Sequence, residues 1–211
     1  MNGFPGSTDH LALAVPDVDA AAREMTGRLG VAPSAGGRHP GWGTRNVLYS
    51  LGERVYMELI GPDPDAAVSA GPLPLGLAEL EGPRLAAWCA RSSDLSAAVH
   101  AARRAGSDLG EVRALTRDNP DGTRLAWSMT PIEANVFGGV VPFLIDWGES
   151  PHPATTAASG CTLLELRGLH PEPAAVLPVL RVLGAELEIE QADTPGLVAR
   201  LQTPRGVVEL R

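Results

Sequence analysis

Asp9-His10-Leu11-Ala12-Leu13-Ala14-Val15 decides how this chain is read, together with Val55-Tyr56-Met57-Glu58-Leu59-Ile60 further along. In the first stretch the side chains alternate with a period of two. Leu11, Leu13 and Val15 share one face of a strand, and His10, Ala12 and Ala14 share the other. The first face is apolar enough to lie under a helix. The second sets one ligand-type side chain above two small ones, as a strand lining a cavity would. The same alternation in the second stretch puts Tyr56, Glu58 and Ile60 on one face. A histidine nitrogen and a glutamate oxygen together supply half of an octahedral site for a divalent ion.

Composition removes several alternatives. With 211 residues, 44% of them hydrophobic, the chain can bury a core as one large domain or two small ones. A formal charge of −8 argues against nucleic acid and against anionic membrane surfaces as partners. All seventeen basic residues are arginine, so Schiff-base chemistry and a phosphate-loop lysine are excluded. Cys89 and Cys161 sit in apolar runs without metal-ligand spacing and read as buried thiols of a reducing compartment. No basic n-region precedes an apolar segment, and no run is long enough to span a bilayer. The expectation is a cytoplasmic protein that binds a small-molecule substrate or ligand, with a homodimer as one assembly option.

The order of elements repeats. After the first strand, Asp17 reads as a helix N-cap, Ala20–Leu29 as a helix and Gly30 as its stop. Strand-like runs follow at Asn46–Leu51 and Arg54–Gly61. The pattern returns with a strand at Leu85–Arg91, Asp94 as N-cap, a helix over Leu95–Ala105 and strands at Glu111–Thr116, Thr123–Thr130 and Val140–Trp147. Asn119-Pro120-Asp121-Gly122 reads as a turn between the first two. A third unit runs from a strand at Cys161–Arg167 through a helix near Pro173–Leu183 to strands at Glu186–Glu190, Leu197–Thr203 and Gly206–Leu210. The fold expected is α+β, with repeated βαβββ modules forming curved mixed sheets around a cavity. The modules are 1–62, 84–148 and 161–211, joined by linkers at 63–83 and 149–160, or packed as one compact domain.

This unit order, with Asp9-His10 on the first strand and Tyr56-x-Glu58-Leu59 on the last, resembles the vicinal oxygen chelate superfamily of glyoxalases, bleomycin-resistance proteins and extradiol dioxygenases. The run Gly36-Gly37-Arg38-His39-Pro40-Gly41-Trp42-Gly43-Thr44-Arg45-Asn46 and the run Val141–Gly148 with Pro151-His152-Pro153 are similar to bacterial glyoxalase-like domain proteins. The resemblance implies paired modules enclosing a cavity, with metal ligands on the first and last strands of each. Carried over, His10 and Glu58 are the ligands of module one and the candidate catalytic pair. Module two sets Ala87 opposite His10, and Phe143 or Leu144 opposite Glu58. Module three sets Leu163 opposite His10 and Glu209 opposite Glu58. A site of His10, Glu58 and Glu209 would suit Mn, Fe, Ni, Mg or Zn and requires modules one and three to pair. Without a metal, His10 and Glu58 could bond each other in a pocket.

Further candidates surround these. The Gly36–Asn46 segment reads as a ligand-embracing loop: Arg38 for a carboxylate, His39, Thr44 and Asn46 for neutral hydrogen bonds, and Trp42 as a flat wall. The alternative is that Arg38 and Asn46 brace their own turns. Tyr56 joins Glu58 as a ligand-binding residue, and Asp146 either lines the cavity or starts a turn. His100 reads as a surface residue, His152 and His170 as turn markers before proline, and Trp88 and Trp127 as core. No nucleophile elbow is present. The implied activity is that of a lyase, isomerase or dioxygenase acting on a substrate with vicinal oxygens. The rival is a non-catalytic protein that sequesters a small molecule.

Overall fold

The computed structural model describes residues 3–66, 72–118, 124–134 and 136–211. The turn expected at Asn119–Gly122 and the first residue of the strand expected from Thr123 lie outside them, as does part of the 63–83 linker. Strand β1 spans Thr8–Ala14 and leads to helix α1, Val18–Leu29. The Asp17 carboxylate accepts the Asp19 and Ala20 N–H groups, and Gly30 closes the helix in the left-handed conformation at φ 79°. Val18, Ala21, Met25 and Leu29 are the buried stripe of α1. They cover the Leu11/Leu13/Val15 face of β1 in one apolar core, each contributing about 1–3 kcal/mol by burial. Strands β2 (Ser34–His39), β3 (Thr44–Gly52) and β4 (Val55–Pro62) complete the module.

The second module has β5 (Arg84–Arg91), α2 (Leu95–Arg104), β6 (Arg113–Asp118), β7 (Arg124–Met129) and β8 (Phe143–Asp146). Its helix is capped by Asp94. The two modules join through β1 and β5, which pair antiparallel, to make one curved eight-stranded sheet in the order β2-β3-β4-β1-β5-β8-β7-β6. In each module the first strand runs parallel to the last: β1 with β4, and β5 with β8. The two sheet edges, β2 and β6, meet at a seam where the Arg117 side chain crosses Gly37. A Cβ at Gly37 would lie 2.2 Å from the Arg117 guanidinium, so glycine is what admits the crossing.

The third unit repeats the element order as β9 (Thr162–His170), α3 (Pro173–Val182), β10 (Glu188–Gln191), β11 (Gly196–Thr203) and β12 (Gly206–Leu210). Its strand pairing differs. β9 runs parallel to the second strand, β10, and antiparallel to β11, leaving β12 at the edge of a separate four-stranded sheet. That sheet packs on the side of the main sheet opposite the cavity, and Leu163, Leu166, Leu197 and Leu201 join the core that contains Leu11, Leu13 and Met25. Among the described residues no helix is long and apolar enough to cross a membrane.

One expectation of local structure is corrected. The Gly36–Asn46 segment is not a loop but a hairpin, with β2 ending at His39 and β3 beginning at Thr44. Gly36 and Gly37 permit close approach, a Cβ at Gly36 lying 2.1 Å from the Asn46 side-chain oxygen, and Gly43 holds the hairpin turn at φ 65°.

Candidate functional site

The curved sheet encloses a cavity whose space, counted together with its open mouth, is about 580 Å³. His10 enters it from β1, Tyr56, Glu58 and Ile60 from β4, and Phe143 and Ile145 from β8. The alternation visible in the sequence therefore delivers His10 and Glu58 to one wall. In the register of β1 and β4, His10 pairs with Tyr56 and Ala12 with Glu58. His10 and Glu58 are therefore diagonal neighbours across the parallel β1–β4 pair.

Asp9 and His10 are consecutive in a strand and would normally point to opposite faces. A bulge prevents this: Thr8 pairs with Ala90 and His10 with Cys89, leaving Asp9 as the extra residue of β1. The His10 Nδ1–H then donates to Asp9 Oδ1 at 2.8 Å, which leaves Nε2 as the unprotonated ring nitrogen. The His10 ring stacks on Tyr56 with centroids 4.6 Å apart and meets Phe143 edge-on at 5.2 Å.

Asp9 is fully buried and accepts three donors. Besides His10 these are His152 Nε2 at 3.1 Å to Oδ2 and the Trp147 indole N–H at 3.3 Å to Oδ1, with Arg91 at 3.8 Å. Burial alone would raise its carboxyl, but the hydrogen bonds and charges of His10 and His152 outweigh that and hold it well below the usual carboxylate range. His152 Nδ1 accepts the Ala154 N–H, so its Nε2 is the protonated nitrogen that faces Asp9. Burial, with the charges of Asp9 and Glu58, pushes the Tyr56 phenol well above its ordinary value and keeps it neutral.

At the other end of the wall, Glu58 accepts the Asn46 side-chain N–H at 2.6 Å. The Asn46 oxygen accepts the Gly37 N–H at 2.7 Å, which fixes the orientation of the amide. Glu58 and His10 thus have separate partners rather than bonding each other. His39 lines the cavity, and its Nδ1 lies 3.0 Å from the Thr44 hydroxyl. Burial lowers the His39 imidazole below its ordinary value.

Of the other sequence candidates, Trp42 and Asn46 line the cavity, and Thr44 reaches it through His39. Arg38 does not reach it. Because His39 faces inward, alternation turns Arg38 outward, where it pairs with Asp63 at 2.9 Å and Asp65 at 2.7 Å. Asp146 starts a turn by accepting the Gly148 N–H, and the neighbouring Trp147 lines the cavity in its place. Glu209 is absent from the site. Because β12 does not neighbour β9, it sits on an edge strand and pairs with Arg211 at 2.8 Å. Trp127, read as core, lines the cavity, and His152, read as a turn marker, is part of the Asp9 network. The proline after His152 concealed it, and only its fold-dependent distance from Asp9 reveals the role.

The second module offers no matching ligands. His10 pairs with Cys89 and Ala12 with Ala87, so the twofold relation between modules carries His10 onto Ala87. Ala12 lies beside Glu58 as Cys89 lies beside Phe143, which carries Glu58 onto Phe143. Among the described residues one group, Asp9, His10 and Cys89, brings candidate donor atoms within 4.8 Å of one another. Both Asp9 oxygens already accept hydrogen bonds, one of them from His10 Nδ1, and burial pushes the Cys89 thiol well above its usual value. These residues do not fit the four-ligand octahedral centre that the resemblance implied.

Residues 8–184 match the glyoxalase-like domain family. The chain belongs to that family, within the vicinal oxygen chelate superfamily. No curated protein shows a significant match. A hypothetical protein from Staphylococcus aureus has a similar structure, with TM-score 0.66 and 13% identity over 97% of this chain and 98% of that one. Methylmalonyl-CoA epimerase from Mycobacterium tuberculosis aligns with TM-score 0.44 and 23% identity over 74% of this chain and 95% of its own. A variant of the Streptomyces coelicolor epimerase, in complex with 2-nitronate-propionyl-CoA, aligns with TM-score 0.43 and 22% identity over 70% and 99%. The glyoxalase-like family thus accounts for both modules of the large sheet and for the start of the third unit.

Proposed function

We propose that this glyoxalase-like protein is an enzyme that isomerises a small hydroxycarbonyl compound, a substrate with oxygens on adjacent carbons. The observation that carries the reading is the Asp9–His10 pair set diagonally from Glu58 on one cavity wall. His10 Nε2 takes the proton from the carbon next to the carbonyl, and the C–H electron pair moves into the new carbon–carbon double bond. Asp9 stabilises the resulting imidazolium through Nδ1–H. Glu58, oriented by Asn46, carries the hydroxyl proton between the two adjacent oxygens. Return of the first proton from His10 to the neighbouring carbon completes the exchange, with no net change in atoms or electrons. The buried free thiols Cys89 and Cys161 support a reducing, intracellular setting.

Proton exchange tests the proposal directly. In D2O, the wild-type protein should exchange the carbon-bound protons of hydroxyacetone or 2-hydroxyacetophenone, followed by NMR. His10→Ala and Glu58→Gln should each slow exchange by about a hundredfold or more while retaining ligand binding. Unchanged exchange in both variants would sink the mechanism. The sequestration reading is favoured by the apolar residues Ala87 and Phe143 at the two vacant ligand positions; it requires binding without any exchange in the wild type.

A further inference from the structure

The cavity holds more aromatic surface than proton transfer requires. The chain has nine aromatic side chains of the Phe, Trp and Tyr types, from three Phe, four Trp and two Tyr. Five of the nine, Trp42, Tyr56, Trp127, Phe143 and Trp147, line this one cavity. The comparison with Trp88 shows that they are not simply core. Trp88 is fully buried, and its indole N–H donates to the Val140 carbonyl at 2.8 Å. Trp42, Trp127 and Trp147 are only partly buried, and each lines the cavity. Apolar surface left open in a cavity is stabilised when a ligand covers it.

The polar and apolar linings are also unevenly placed. His10, His39, Asn46 and Glu58 come from β1 to β4, and Arg117 adds a cation from β6. The β7–β8 side supplies Leu125, Trp127, Met129, Phe143, Ile145 and Trp147. There the Trp127 and Trp147 rings stand 5.5 Å apart at 42°, a corner that offers two ring faces. Offset and edge-on contacts of this kind discriminate in favour of flat π-systems over alkyl groups.

We propose that the substrate has a planar aryl body and a compact oxygen-bearing head. The body lies in the Trp127/Trp147 corner and the head against His10 and Glu58. The placement of the head rests on the reaction proposed above; the aryl body does not.

Two probes with the same hydroxyketone head separate body from head: 2-hydroxyacetophenone, with a phenyl group, and hydroxyacetone, with a methyl group. Titrations followed on the four indole N–H signals of ¹⁵N-labelled protein should show the phenyl probe binding at least about tenfold tighter. It should shift the Trp127 and Trp147 signals while leaving Trp88 in place. Trp127→Leu should reduce the preference for phenyl several-fold, with the unshifted Trp88 signal reporting that the variant is folded. Equal affinity for the two probes, a preference unaltered in folded Trp127→Leu, or binding of neither would overturn the aryl inference. Tight phenyl binding without deuterium exchange would instead overturn the reaction and leave the aryl site standing. Exchange of both probes with equal affinity would do the reverse.

Discussion

At the scale of single residues, Asp9 controls the site without facing the substrate. Its carboxylate is buried beneath His10, His152 and Trp147, and its lowered pKa means that the folded state holds the ionised form more tightly than the unfolded chain does. By linkage, this stabilisation is fully present above the ordinary carboxylate range. It is lost as pH falls from about 4 toward the lower folded-state value. Asp9→Asn should therefore cost about 2–3 kcal/mol at pH 7, and the cost should shrink in acid. Urea unfolding at pH 7 and pH 3.5 checks this. A penalty that grows on acidification would contradict the placement of the charge. Asp9 beside His10 is plain in the sequence, but two consecutive strand residues ordinarily face apart, so their union was not. The bulge that unites them is a property of the β1–β5 pairing, which involves residues far away in the chain.

At the scale of elements, the β2–β3 hairpin positions Glu58 through a contact only glycine permits. Asn46 reaches Glu58 because its other end is held by the Gly37 N–H and because Gly36 has no Cβ to obstruct it. In Gly36→Ala the new Cβ would meet the Asn46 side-chain oxygen at 2.1 Å and its backbone oxygen at 2.7 Å, so the hairpin has to shift. A loss of about 1–3 kcal/mol is expected, with weakened ligand binding. Gly41→Ala, where nothing lies within 4 Å of the added atom, should be nearly neutral in both respects. Thermal unfolding of the pair decides the matter, and equal effects would remove the steric explanation. Helices and most strands were legible from capping residues and alternation. This hairpin was not, because glycine-rich sequence carries no periodic signal and its pairing partner supplies the order.

For the whole molecule, the decisive fact is that modules one and two pair, while the third unit packs on the far side of the sheet. Glu209 is accordingly a partly exposed member of surface ion pairs with Arg211 and Arg167. Glu209→Ala should change stability by less than about 1 kcal/mol and leave ligand affinity unaltered. Calorimetric titration with 2-hydroxyacetophenone tests this, and a loss of binding would mean that the third unit contributes to the cavity after all. Removing residues 161–211 should instead unfold the protein, since Leu163, Leu166, Leu197 and Leu201 complete the core under β1 and α1.

The amino-acid sequence by itself determined most of the elements, the threefold recurrence of their order and the direction in which His10 and Glu58 face. Each follows from local physics: period-two alternation, helix caps, and turn residues acting over a few positions. The tertiary structure alone decided which modules pair, that Asp9 turns to His10, that His152 and Trp147 complete its surroundings, and that Arg38 and Glu209 stand outside the cavity. Those outcomes depend on strand register and sheet order, which arise from the packing of apolar faces distant in the chain. A single strand's pattern of side chains states which face is buried, and its neighbours determine what that face meets.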